Sequence, residues 1–186
     1  MRLFFAVHIS DEVRRLVRRE IERIPIDHPP WRWIKPENYH ITLKFLGEVE
    51  ESMLNPLVEA ASRAAAPLRP FYLSFDRFGA FPSLGRPRVL FFAAERGSKD
   101  LARLAGRIEE EIAPIGFERE KRKFSAHLTL ARIRKRPHPK ILEILESVPA
   151  LPDSAGQTVD RFVLMRSTLR RSGAVYEELR SFPLNG

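Results

Sequence analysis

The sequence predicts an α+β fold in which helices pack outside two small sheets. Strand-like and helix-period segments alternate along the chain, but without the regularity of a doubly wound parallel sheet. No linker is long enough or low enough in complexity to separate independent domains. Residues 1–186 therefore read as a single domain made of two intimate lobes. A composition of 44% hydrophobic and 30% charged residues suits a soluble globular chain with a sizeable core.

Each element has its own local signal. Arg2 to Ile9 is apolar and phenylalanine-rich, as a buried strand should be. Ser10 then caps a helix with Asp11 and Glu12 in its first turn and an apolar stripe of Val13, Leu16, Val17, Ile21 and Ile24. Pro25, Pro29 and Pro30 force a loop. Trp31 to Lys35 reads as a short strand, and Tyr39 to Leu46 as a clearer one closed by Gly47. Ser52 to Ala66 is a helix stopped by Pro67 and Pro70. Phe71 to Phe78 and Arg88 to Ala94 read as strands joined by a loop from Gly79 to Pro87. A helix starts at Ser98, with Leu101, Leu104, Ala105, Ile108 and Ile112 on one face, and ends near Pro114. Strand Phe124 to Ile133, a short helix Pro139 to Ser147, and strands Thr158 to Arg166 and Val175 to Phe182 follow.

Composition narrows the chemistry. The chain has no cysteine, which excludes disulfides, a thiol nucleophile and thiolate metal sites. No apolar run is long enough to span a bilayer and no signal peptide is read, so the cytoplasm is the default compartment expected. The net charge is +8, from 32 Lys and Arg against 24 Asp and Glu. That balance favours a polyanionic partner, nucleic acid ahead of membrane, unless arginine is simply enriched everywhere. From Phe117 to Arg136, eight cations (Arg119, Lys121, Arg122, Lys123, Arg132, Arg134, Lys135 and Arg136) stand against Glu118 and Glu120, which is six of the eight net charges. They flank the segment around His127 and are expected near the rim of any groove it faces.

Phosphate-cradling glycine loops, HExxH and GxSxG are missing, and the acidic clusters read as solvated helix ends, so no metal and no cofactor are expected. What stands out is histidine. Of four threonines, two lie two residues after a histidine, in His40-Ile41-Thr42-Leu43 and His127-Leu128-Thr129-Leu130. Chance placement gives roughly 0.1 such pairs. The copies are 87 residues apart and read as a vestigial internal repeat. On a strand, His40 and Thr42 share one face, as do His127 and Thr129, while the intervening apolar residues face a core. If the two sheets face one another across a groove, two imidazoles and two hydroxyls converge. Hydroxyls can donate to phosphate oxygens, and two imidazoles can supply one base and one acid. That set suits hydrolysis of a phosphodiester without metal.

At these residues the sequence resembles the two-histidine phosphoesterase superfamily. It is similar in particular to the RNA 2′,3′-cyclic phosphodiesterase family, historically called 2′-5′ RNA ligase. The likeness takes in Arg2-Leu3-Phe4-Phe5-Ala6, the stretch from Trp33 to Gly47, Gly79-Ala80-Phe81-Pro82, Pro87-Arg88-Val89-Leu90, His127 to Arg132, Arg166-Ser167-Thr168-Leu169 and Tyr176. The family pattern has proline before the second histidine where this chain has Ala126, a change that removes no chemical group. The resemblance implies a bilobal, pseudo-twofold fold with two antiparallel sheets facing a central groove. It implies that His40 protonates the departing 3′ oxygen, that His127 activates water, and that Thr42 and Thr129 hold the nonbridging oxygens. An RNA 2′-phosphate would be the product. The sequence alone allows either order of acid and base.

Further residues are weighed by parity. Lys44 shares the parity of His40 and could reach a flanking phosphate, although a solvated lysine is the plainer reading. Arg132 has the opposite parity to His127, so a phosphate role for it needs a bulge or the strand end. Phe45 and Phe81 could stack a base, but parity favours core packing. His8, His28 and His138 lack a matching threonine and are given no catalytic part. The leading expectation is a metal-independent hydrolase acting on RNA, or on a nucleotide, that ends in a 2′,3′-cyclic phosphate. Ligation by the reverse reaction and a non-catalytic basic RNA-binding module are the alternatives. No membrane and no obligate protein partner are expected.

Overall fold

The computed structural model describes residues 1–25, 31–135, 137–152, 155–170 and 173–186. His28, Pro29, Pro30 and Arg136 lie outside the described residues. Two antiparallel sheets carry the fold. The first has the order β3-β1-β8-β9, with β1 Arg2–His8, β3 His40–Glu48, β8 Arg161–Arg170 and β9 Gly173–Pro183. The second has the order β2-β6-β5-β4-β7, with β2 Trp31–Trp33, β4 Phe71–Phe81, β5 Val89–Ala94, β6 His127–Ile133 and β7 Gly156–Val159. Counted outward from the histidine strands, β3-β1-β8-β9 and β6-β5-β4-β7 correspond, so the architecture is pseudo-twofold, and β2 is an addition beside β6. Each sheet draws strands from both halves of the chain.

Among the described residues four α-helices complete the fold: α1 Asp11–Glu22, α2 Leu54–Ala65, α3 Ser98–Ile112 and α4 Pro139–Glu146. Ser10 caps α1 as expected, its hydroxyl accepting from the Val13 N–H at 3.3 Å. The alanine-rich face of α2 (Ala60, Ala61, Ala64, Ala65) is buried and lets α2 pack against α3. One continuous apolar cluster runs from Leu3, Phe5 and Val7 on β1 through Leu101, Leu104 and Ile108 on α3 to Leu90, Phe92, Leu128 and Leu130 on β5 and β6. Strand β1 is buried on both faces. Its opposite face supplies Phe4 and Ala6 to a second, small cluster with Val163 and Met165, on which Tyr176 packs.

The structure redraws some sequence boundaries. The single strand expected from Thr158 to Arg166 is two, β7 in one sheet and β8 in the other. They part at Asp160, whose carboxylate is held by the Arg161 guanidinium at 3.0 and 3.1 Å and whose carbonyl accepts the Leu184 N–H at 2.8 Å. Strand β4 runs on to Phe81 because Gly79, Ala80 and Phe81 pair with β5. Strand β6 starts three residues later than expected, at His127.

Two bulges matter most. Thr42 pairs with Ala6 and Lys44 with Phe5, which leaves Leu43 without a partner. Likewise Thr129 pairs with Phe91 and Ala131 with Leu90, which leaves Leu130 over. An extra residue shifts the side-chain alternation by one. Leu43 and Lys44 are therefore both buried, as are Leu130 and Ala131, while Phe45 and Arg132 turn to the faces that carry the histidines.

This overturns both expectations for Lys44, which is neither solvated nor aimed at the histidine face. It is 8% exposed, and its Nζ donates to Glu109 Oε1 on α3 at 2.9 Å and to the Glu118 carbonyl at 2.7 Å. Glu109→Leu should then destabilise the protein by about 3 kcal/mol by stranding a buried ammonium. Adding Lys44→Met should recover most of that loss, and urea denaturation of the single and double variants measures both.

Candidate active site

Each histidine opens its strand and is oriented the same way. His40 follows a short 3₁₀ turn, Pro36–Asn38, and its Nδ1 lies 2.7 Å from the Asn38 carbonyl oxygen. His127 Nδ1 lies 2.7 Å from the Ser125 carbonyl oxygen. A carbonyl only accepts, so each Nδ1 carries the proton and each Nε2 is left for chemistry. Asn38 is itself tied down, its Nδ2 donating to the Ala174 carbonyl on β9 at 3.3 Å.

Aromatic rings fix both imidazoles. Phe4 and Tyr176 stand around His40, each with its ring centroid at 5.1 Å. Phe81 and Phe91 stand around His127 at 5.0 and 5.4 Å. Phe81 is thus half-buried in the wall of the site rather than part of the core, and it stacks on Phe91 at 4.3 Å. Thr42 and Thr129 share the faces of their histidines and are half-buried, and neither hydroxyl has a protein partner among the described residues. Strands β3 and β6 approach one another, which brings the two motifs together where the sheets meet.

The electrostatics favour neutral imidazoles. Burial is the main cause that lowers His40 below the ordinary histidine range, opposed by its bond to Asn38 and reinforced by His8, Arg132 and His127. Burial likewise lowers His127, opposed by its bond to Ser125 and reinforced by Arg132. Arg132 therefore acts on both histidines. The bulge at Leu130 supplies the condition on which its role depended. Phe45, expected in the core, is instead 59% exposed, with its ring 5.8 Å from Phe4.

Sequence reasoning missed the surroundings of His40. His8 is its register partner on β1, and His8 Nε2 lies 2.8 Å from Glu178 Oε2 on β9. Nothing local in the sequence announces a pairing across 170 residues. His138 serves the fold instead, capping α4 by accepting the Lys140 N–H at 3.3 Å. Among the described residues no three or more histidine or carboxylate side chains are grouped to hold a metal ion, and no helix is long and apolar enough to cross a membrane.

The His127 wall depends on Gly79. A Cβ there would meet Phe91 Cζ at 2.7 Å, and that ring is confined by Phe81 on one side and His127 on the other. Gly79→Ala should cost about 1–3 kcal/mol of stability through overpacking. It should also lower turnover by displacing the imidazole, an effect seen as a fall in kcat in conditions where the variant is fully folded.

Comparison with known proteins agrees with this geometry. The model of the LigT-like phosphoesterase family matches the chain twice in tandem, over residues 7–91 and 92–176, once around each histidine motif. An RNA 2′,3′-cyclic phosphodiesterase of Archaeoglobus fulgidus is 37% identical over 98% of this chain and 99% of its own length. One from Thermotoga maritima is 30% identical over 100% of this chain and 97% of its own. Among solved structures, one from Thermus thermophilus superposes with a TM-score of 0.83 at 34% identity, over 100% of this chain and 99% of that one. Escherichia coli LigT complexed with 3′-AMP gives 0.81 at 25% identity, over 100% and 98%. With a tandem family match from residue 7 to residue 176 and full-length relatives at 30% identity or more, the chain belongs to the LigT-like phosphoesterase family.

Proposed function

We propose that this protein hydrolyses the 2′,3′-cyclic phosphate end of an RNA to a 2′-phosphate, with His40 as proton donor and His127 as proton acceptor. The observation that carries the reading is the pair of imidazoles whose Nδ1 atoms are spent on backbone carbonyls and whose Nε2 atoms are free. The names of the relatives at up to 37% identity support the substrate class. The shared apolar core supports one domain of two lobes over residues 1–186.

In this mechanism water attacks phosphorus opposite the 3′ oxygen. His127 Nε2 takes a proton from the water as the new P–O bond forms, and His40 Nε2–H gives one to the 3′ oxygen as the P–O3′ bond breaks. The proton count balances: His127 ends protonated, His40 neutral, and exchange with solvent restores both. The Thr42 and Thr129 hydroxyls donate to the nonbridging oxygens, and the Arg132 guanidinium offers a planar fork to the charge that builds on them. The exposed ring of Phe45 offers a stacking face to the terminal base. Burial leaves both imidazoles reluctant to protonate, so the phosphate anion itself must favour the imidazolium that acts as acid. No Lewis acid is needed for these transfers, and activity is expected to survive EDTA.

His40→Ala and His127→Ala should each lower turnover of a nucleoside 2′,3′-cyclic phosphate by ~10²–10⁴. Because both act in one transition state, the double variant should lose less than the product of the two. Near-full turnover in either single variant would end the two-histidine reading.

The pH dependence follows from the signs of the shifts. In the free protein both histidines are lowered, so the bell in kcat/KM should lie on the acid side of the ordinary histidine range near 6.5. A bound phosphate favours protonation, so both limbs of the kcat profile should move to higher pH. Profiles of kcat and kcat/KM measured together test this, and coincident limbs would contradict it.

A further inference from the structure

The cationic window read from Phe117 to Arg136 separates in the fold. Arg134 and Lys135 follow β6 and lie about 20 Å, a strand length, from His127. Arg119, Lys121, Arg122 and Lys123 precede β6, and Lys123 is four residues from His127, a reach of at most about 14 Å. All four of these side chains are exposed, and none has an ion-pair partner among the described residues. Elsewhere some exposed arginines are paired locally, Arg18 with Glu22, Arg63 with Glu111 and Arg161 with Asp160, while others, Arg69 and Arg103 among them, likewise have no ion-pair partner among the described residues. Glu118 and Glu120 lie in the same segment and leave it with an excess of two positive charges.

The segment is anchored from inside. Lys44 Nζ holds the Glu118 carbonyl, and the Glu109 carboxylate that pairs with Lys44 also accepts the Glu120 N–H at 3.1 Å from both oxygens. Lys44 and Phe45 are consecutive residues on opposite faces of β3, which is an edge strand of its sheet. Strand β3 therefore grips this segment from behind at the level where its front displays the Phe45 ring. If a terminal base rests on Phe45, the backbone phosphate 5′ to that nucleoside would leave past this edge strand, toward the segment that leads into β6.

We infer that Arg119, Lys121, Arg122 and Lys123 form the binding surface for the RNA strand that leads away from the reacting end. The inference rests on the cyclic-phosphodiesterase reading and adds to it a second contact zone, which distinguishes an RNA end from a mononucleotide. Recognition is by phosphate charge and carries no base preference of its own.

The test compares wild type with the triple variant Lys121→Gln, Arg122→Gln, Lys123→Gln. A charge-matched control carries Arg69→Gln, Lys99→Gln, Arg103→Gln, three exposed cations at the opposite end of α3. Binding of a labelled single-stranded RNA ending in a 2′-phosphate is followed across a salt series, beside turnover of a nucleoside 2′,3′-cyclic phosphate. Each phosphate contact on a single strand contributes about −0.7 to the log–log slope. Loss of two contacts should flatten the slope of the triple variant by about 1.4, with mononucleotide turnover within about twofold of wild type and the control unchanged. An unaltered slope, or an equal loss in the control, would overturn the inference. Wild type inactive on any cyclic phosphate would instead refute the reading of the reaction, and the slopes would still decide whether this segment holds RNA.

Discussion

Leu43 and Leu130 have no partner on the neighbouring strand, and because side chains alternate along β structure, the residues that follow them change face. Ahead of the bulges, each strand presents histidine and threonine in register. Beyond them, β3 presents Phe45 and β6 presents Arg132, an aromatic ring in one half and a cation in the other. The pseudo-twofold groove thus becomes chemically one-sided at a single pair of equivalent positions. The same shift turns Lys44 inward, where burial obliges it to find Glu109 and the Glu118 carbonyl. These two irregularities therefore govern both the contents of the groove and the anchoring of the segment that enters β6.

A second constraint is the cost of an uncompensated charge. Both imidazoles sit between aromatic rings, and Arg132 acts on each of them, so protonation is disfavoured. The Nδ1 bonds to Asn38 and Ser125 oppose this and fix the ring orientation at the same time. An imidazole in such surroundings accepts a proton more readily once an anion lies beside it. The aromatic walls that make the histidines reluctant also hold their Nε2 atoms in one direction, so charge and aim are set by the same packing.

Much of this was legible in the sequence. Strand periodicity and the doubled His-x-Thr pattern identified β3, β6 and the faces their motifs occupy, because those features are local. The strand break at Asp160 was not, since it depends on which sheet each side joins. Parity failed at Lys44, Phe45 and Arg132 for one reason: a bulge is a property of two strands in register and leaves no mark in either alone. Phe4, Tyr176, His8 and Glu178 meet His40 only through pairings across the first sheet. The cationic window is continuous along the chain but not in space, because the length of β6 divides it.

The exchange of strands between the halves has a consequence for the newborn chain. Tyr176, which walls His40, and Glu178, which holds His8, both lie on β9, while the partner of β9 is β8 and that of β8 is β1. A ribosome that has delivered both histidine motifs has still not delivered the strands that cover the far side of β1, whose two faces are both apolar. Until β8 and β9 emerge, that surface is an open invitation to other chains, and the earliest residues of the protein must wait for some of its latest.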